Sequence, residues 1–330
     1  MDTAIHHWQS QWHTERNGNL FFDKFSVANP CFLPGTAGAL AKMKNIAKKK
    51  ALITGAAAGI GKAIASALAR EGAELYLLDI DEPRLTGLAD SLRQQGAQVI
   101  VRRCDLTDRA ELDVCLEELL ATWGGVDIVV NNAGLAYYGP TDSMSDQQWD
   151  TILGVNLLAP AQIIRRLLPS LKARGEARIV NIASIAGLLG VKRGSAYSLT
   201  KFGIVGFSES LRSELVKFGI GVITVCPGFV RTNLFSSAMT AQESKGPPEP
   251  FRLVSVTPEF VAEQVIKSIR KNRRLVVVTA LARMLWRIQR LWPGLLVAAL
   301  GGFRRKPRLV VSNDIQSQPR SSNSSARKAA

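Results

Sequence analysis

Thr54-Gly55-Ala56-Ala57-Ala58-Gly59-Ile60-Gly61 stands between a short aliphatic run, Ala51 to Thr54, and an alanine-rich helical stretch. Glycines at a strand-to-helix turn let the main chain come close to a ligand, and the free N–H groups of the helix N-terminus carry about half a unit of positive charge. A pyrophosphate fits that cradle, although a plain structural turn shows the same letters. Asp79 lies 18 residues beyond Gly61, at the end of the next predicted strand, where a carboxylate accepts hydrogen bonds from adenosine ribose hydroxyls. Together they predict a dinucleotide site with Gly55, Gly59, Ile60, Gly61 and Asp79 at the cofactor. Asp79 repels a ribose 2′-phosphate, and neither Ala58 nor Ile80 supplies a cation to hold one, so NAD is expected over NADP. The competing reading makes Asp79 the cap of a helix beginning near Pro83.

Outward from this turn, β-rich runs alternate with helical stretches, the pattern of a parallel sheet. Predicted strands are 51–54, 74–79, 98–103, 127–131, 178–183, 221–226 and 275–279. Helices are expected near 61–71, 83–95, 109–123, 146–172, 198–218 and 258–271. Right-handed crossovers then place helices on both faces, so the expected fold is α/β, a Rossmann-like doubly wound parallel sheet of about seven strands. The 330 residues suit one such domain with extensions.

The apolar fraction of 46% and charged fraction of 21% exclude wholesale disorder and a multi-spanning membrane protein. Cys31, Cys104, Cys115 and Cys226 form no C-x-x-C pair, which argues against a zinc ribbon or disulfide framework and for a cytoplasmic location. The histidines are His6, His7 and His13, so neither a histidine triad nor a metal site is expected in the body. The net charge of +15 divides as +1 over residues 1–45, +3 over 46–272 and +11 over 273–330. The excess sits in the tail, so no specific nucleic acid is expected. Residues 1–45 read as an N-terminal extension, with Met43 as an alternative start. Residues 46–280 read as the catalytic domain, 233–256 as a mobile loop rich in Gly and Pro, and 309–330 as a disordered tail.

The ordered set of motifs resembles the short-chain dehydrogenase/reductase family over residues 51 to about 232, roughly 55% of the chain. After the glycine-rich turn come Asp105 and Leu106 in Cys-Asp-Leu-Thr-Asp, then Asn131-Asn132-Ala133-Gly134, Asn156 in Val-Asn-Leu, and Ser184 in Asn-Ile-Ala-Ser-Ile-Ala-Gly. Tyr197-Ser198-Leu199-Thr200-Lys201 follows 13 residues after Ser184, and Pro227-Gly228-Phe229-Val230-Arg231-Thr232 closes the set. The resemblance implies that Asn156, Ser184, Tyr197 and Lys201 are catalytic. It adds Asp105, Leu106, Asn132, Tyr197, Lys201, Val230 and Thr232 to the cofactor contacts, with Thr232 near the nicotinamide carboxamide. It also implies a homodimer or homotetramer pairing through the helices that carry Asn156 and Tyr197. Asn131 is equally well read as a bond between strands, and Ser208 and Ser210 as packing residues.

On a helix, Tyr197 and Lys201 share one face a turn apart. A tyrosine ionises near pH ~10. One positive charge at about 4 Å in an effective dielectric of about 20 is worth about 4 kcal/mol, on the order of three pKa units. Consistent with the resemblance, Tyr197 is then the proton donor or acceptor, Lys201 lowers its pKa and holds the nicotinamide ribose, Ser184 orients the substrate oxygen, and Asn156 positions a water.

Residues 281–308 read as an amphipathic basic extension. Arg283, Arg287 and Arg290 are expected on one helical face, with Leu281, Met284, Leu285, Ile288, Leu291 and Trp292 opposite, and Arg304, Arg305, Lys306 and Arg308 beyond. Peripheral membrane contact is one reading; packing over the substrate cleft or against another subunit is the other. Tyr137, Tyr138, Leu188, Leu189, Val191, Phe229, Leu234 and Phe235 are expected around the cleft, suggesting a hydrophobic secondary alcohol or ketone, steroid-, retinoid- or lipid-like. The alternatives are a 3-oxoacyl thioester reductase and a nucleotide-sensing or scaffold protein on the same fold.

Overall fold

Strands rich in Leu, Ile and Val with few charges suit a sheet covered on both faces. In the computed structural model, which describes residues 42–232, 234, 237–240 and 255–294, they form one. In chain order the elements are β1 (Lys50–Thr54), α1 (Gly59–Arg70), β2 (Glu74–Asp79), α2 (Glu82–Gln94), β3 (Val99–Arg103), α3 (Arg109–Trp123), β4 (Ile128–Asn131) and β5 (Tyr137–Tyr138). There follow α4 (Asp146–Leu153), α5 (Ala159–Arg174), β6 (Ala177–Ile182), α6 (Ser195–Leu215), β7 (Ile220–Cys226), β8 (Met239–Thr240), α7 (Pro258–Lys271), β9 (Leu275–Val277) and α8 (Ala280–Leu291). The main sheet is seven-stranded in the order β3-β2-β1-β4-β6-β7-β9, every pair parallel. The chain reverses its direction of travel between β1 and β4, the crevice where ligands bind in such sheets.

Alternation along each strand feeds two cores. Ala51, Ile53, Leu75, Leu77, Val130, Val180 and Ile223 face one side with α1, α2 and α7. Leu52, Tyr76, Leu78, Val129, Ile179 and Val222 face the other with α3, α5 and α6. Burying each such Leu, Ile or Val contributes about 1.5–3 kcal/mol. Local signals end the helices: Asp108 caps α3 by accepting from Ala110 and Glu111 N–H, and Ser145 and Gln148 form a capping box on α4.

Several expectations are corrected. The helix expected over 146–172 runs to Arg174 and contains a turn of π-helix, Gly154–Leu158, between α4 and α5. α6 begins at Ser195. β9 stops at Val277, because Thr279 turns to cap α8 by accepting from Ala282 N–H. The β5–β8 pair was not expected from sequence at all. The body also begins earlier than residue 46: Met43 and Ile46 are buried in the first core. Hydrophobicity at 43 and 46 is too sparse to signal a core without its partners in view. The readings for residues 1–41, for most of 233–256 and for 295–330 lie outside the described residues.

Candidate active site

The glycine turn is closed by tertiary contacts. Gly55 adopts φ +64°, and a Cβ there would come 2.7 Å from Ala133 Cα. A Cβ on Gly61 would overlap Gly55 O and stand 2.5 Å from Asn132 Nδ2. Asn132 is a staple for this turn: Nδ2 donates to Thr54 O at 3.0 Å and Gly55 O at 2.9 Å, while Thr54 Oγ1 accepts from Asn132 and Ala133 N–H. Its neighbour Asn131 bonds strand to strand, Nδ2 donating to Asn181 Oδ1 at 2.8 Å, and Asn181 donates onward to buried Ser208.

Asp79 closes the other side. Its Oδ2 accepts from Ala57 N–H at 2.8 Å and its Oδ1 from Asp81 N–H at 3.0 Å. Asp81, not Asp79, caps α2 through Arg84 N–H, so the capping alternative for Asp79 is removed. The carboxylate lines a cavity of about 1360 Å³ together with Gly55, Gly59, Ile60, Asp105, Leu106 and Asn132. Val230 and Thr232 line it too, Thr232 against the glycine turn, where a Cβ on Gly59 would come 3.2 Å from Thr232 Cγ2. Lys62, Arg70 and Arg84 also line the cavity, cations that Ala58 and Ile80 gave no hint of. Arg84 is engaged by Asp81 at 3.2 Å. Glycines that exclude a Cβ, helix α1 aimed at the cavity and a carboxylate beyond it fit a dinucleotide.

Ser184, Tyr197 and Lys201 line the same cavity. Ser184 follows β6 and caps the turn 185–187, its Oγ accepting from Ala186 N–H at 3.1 Å. Tyr197 and Lys201 are one turn apart on α6, both buried. Lys201 Nζ stands 5.6 Å from the Tyr197 ring centroid and donates to Ile182 O at 3.0 Å. Gly134 leaves it room, for a Cβ there would come 3.3 Å from Nζ.

The electrostatics differ from the expectation. Burial raises the Tyr197 phenol above its ordinary value, and a Ser184 hydrogen bond opposes the rise without reversing it. Burial pushes the Lys201 amine down to about 8. Cys226, at the end of β7 in the same buried environment, is pushed up to about 12. The expected depression of the phenol assumed an ammonium against its oxygen. Here desolvation, which disfavours charge on both groups, is the larger effect.

Asn156 has partners that the sequence does not reveal. Its Oδ1 accepts from Leu135 N–H at 2.7 Å, and Nδ2 donates to Leu135 O at 2.8 Å and Thr200 Oγ1 at 3.1 Å. Both amide hydrogens are used, and the side chain clamps Leu135. Of the residues expected around the cleft, Leu234 lines the cavity. Tyr137 is buried with its hydroxyl donated to Pro140 O. Leu188 and Leu189 pack inward, Val191 and Phe229 are exposed, Tyr138 lies under Arg193, and Phe235 lies outside the described residues. Leu135, Gln147, Thr151, Val155 and Ser237, which were not expected, line the cavity as well. The spacing 147, 151, 155 is one helical face, a signal present in the sequence but indistinguishable there from a solvated stripe.

A family model described as short chain dehydrogenase matches residues 49–243. The ketoacyl reductase HetN of Nostoc sp. is 33% identical over 237 residues, covering 72% of this chain and 80% of that protein. A short chain dehydrogenase/reductase from Burkholderia phymatum, solved in complex with NAD, is 28% identical with a TM-score of 0.69, covering 77% of this chain and 97% of that one. An alcohol dehydrogenase from Thermococcus sibiricus, complexed with 5-hydroxy-NADP, is 29% identical with a TM-score of 0.61, covering 69% and 94%.

Proposed function

The chain belongs to the short-chain dehydrogenase/reductase family of oxidoreductases, and from that premise we propose that it reduces a 3-oxoacyl thioester at the expense of a nicotinamide dinucleotide. The observation that carries the reading is the meeting of Ser184, Tyr197 and Lys201 in the cavity that also holds the glycine turn. Leu135, Gln147, Thr151, Val155, Leu234 and Ser237 also line that cavity. The relative described as a ketoacyl reductase favours a 3-oxoacyl thioester over a steroid or retinoid.

Gly55, Gly59, Ile60 and Gly61 would hold the pyrophosphate, Asp79 the adenosine ribose, Asp105 and Leu106 the adenine, and Val230 and Thr232 the nicotinamide. When bound, the dinucleotide supplies the hydride. Ser184 Oγ donates to the substrate ketone oxygen and fixes the orientation of the carbonyl. Tyr197 delivers its proton to that oxygen, and the phenolate regains a proton from water. A phenol raised by burial stays protonated at neutral pH, which suits reduction. Lys201 in its charged form steadies the transient phenolate and holds the nicotinamide ribose. Asn156 acts through Leu135 and Thr200 as a positioning residue, not by contact with substrate.

We propose NAD over NADP, because the Asp79 carboxylate would face a 2′-phosphate and the nearby Arg84 is already paired with Asp81. Pairing of two copies through the helices carrying Asn156 and Tyr197 is supported by exposed Leu158, Leu199 and Phe202. The test of function is oxidation of reduced dinucleotide with a 3-oxobutanoyl thioester beside a ketosteroid. Turnover on the thioester, lost about 10²–10⁴-fold in Tyr197→Phe, supports the reading. Turnover confined to the steroid overturns it.

A further inference from the structure

We propose that the outer face of α8 docks the protein on an anionic lipid bilayer, independently of the substrate reading. The helix is seated at its inner face: Ala282 is buried and Trp286 packs on the cluster of Ala183, Ile204 and Cys226. Its first turn lies close against Gly228, where a Cβ would come 2.5 Å from Thr279 Oγ1 and 3.3 Å from Ala282 Cβ. The outer face leaves large apolar side chains in water, with Met284 50%, Leu291 66% and Trp292 61% exposed. The border between the cationic and the apolar side of the helix is the part left exposed, and there Arg283, Met284, Arg287, Leu291 and Trp292 line a shallow groove of about 350 Å³.

That composition selects the occupant. Guanidinium groups reach lipid phosphates while Met, Leu and Trp enter the acyl boundary, the arrangement of helices lying in the plane of an interface. α8 carries no acid, and the sole acid from residue 273 onward is Asp314. A second copy docking on this face by two-fold symmetry would bring arginines against arginines. Arg304, Arg305, Lys306 and Arg308 follow in the tail and repeat the positive charge. These same residues, with the apolar stretch Leu295 to Leu300 before them, extend the lipid-binding composition.

The experiment is flotation of the full chain with phosphatidylcholine vesicles, with and without phosphatidylserine. Two variants accompany it, Leu291→Asp with Trp292→Asp and Arg283→Glu with Arg287→Glu. All four positions are exposed, and an unchanged Tm and reductase rate without vesicles verify each fold. The wild type is expected to float with the phosphatidylserine vesicles about tenfold more than with the neutral ones, less so at high salt, and each variant about tenfold less than the wild type. Equal flotation on neutral vesicles, or variants that float like the wild type, overturns the proposal. So does a wild-type oligomer by light scattering that the first variant dissociates, which assigns the face to a second copy. Displacement of protein from vesicles by duplex DNA at equal phosphate assigns it to nucleic acid and also overturns it.

Discussion

The two ends of the cavity are made of different material. At the glycine turn the working surface is main chain, held by Asn132 and Thr54 and kept bare by residues that cannot carry a Cβ. At the other end it is side chain: Ser184, Tyr197 and Lys201, taken out of water and shifted in acidity by burial. A site made of main chain tolerates nothing added. A site made of buried titratable groups tolerates nothing removed, and it answers to pH.

Gly61→Ala tests the first half and carries the largest expected effect. The added methyl overlaps Gly55 O, backbone that cannot step aside, so the variant should lose stability by about 1–3 kcal/mol and dinucleotide affinity by on the order of 10²-fold, read by thermal unfolding and titration calorimetry. Wild-type affinity would mean that the turn is plastic and the contrast false.

Lys201→Met tests the second half. A charged lysine is costly to bury, so the apoprotein should gain stability at neutral pH while kcat falls about 10²-fold or more. Loss of both stability and rate would instead make Lys201 a structural residue through Ile182 O.

The pH profile refines the same half. The folded amine, at about 8, lies below its unfolded value. The folded state therefore holds fewer protons between about 8 and 10.4, and stability rises with pH across that window. Reduction should fall over the same window as Lys201 loses its charge while Tyr197, raised by burial, keeps its proton. A rate flat to pH ~10 would detach Lys201 from the chemistry.

Asp79→Ser is the smallest of the four. Removing one charge near the ribose should move the NADP-to-NAD ratio of kcat/KM about tenfold toward NADP. A ratio that stays put would hand cofactor choice to Lys62, Arg70 or Arg84.

Much of the first half was legible in the linear order of residues. Gly55, Gly59, Gly61 and Asp79 are read by type and spacing because backbone conformation and a strand terminus are local properties. The second half was legible by residue and not by state. Tyr197 and Lys201 were named with the right spacing, yet the sign of the tyrosine shift was missed, because desolvation depends on what β6, β7 and the loop after Ser184 place around them. Asn156 was identified as a site residue but its partner, Leu135, is 21 positions away, beyond any local pattern.

The amino-acid order by itself determined the parallel sheet, its two cores and the glycine turn, since each follows from periodicity and backbone preference within a dozen neighbouring residues. Tertiary structure alone decided that Met43 belongs to the core, that Gln147, Thr151 and Val155 line the cavity, and which side of α8 stays exposed. Burial is a property of what packs against a residue, and packing partners are set by the fold as a whole.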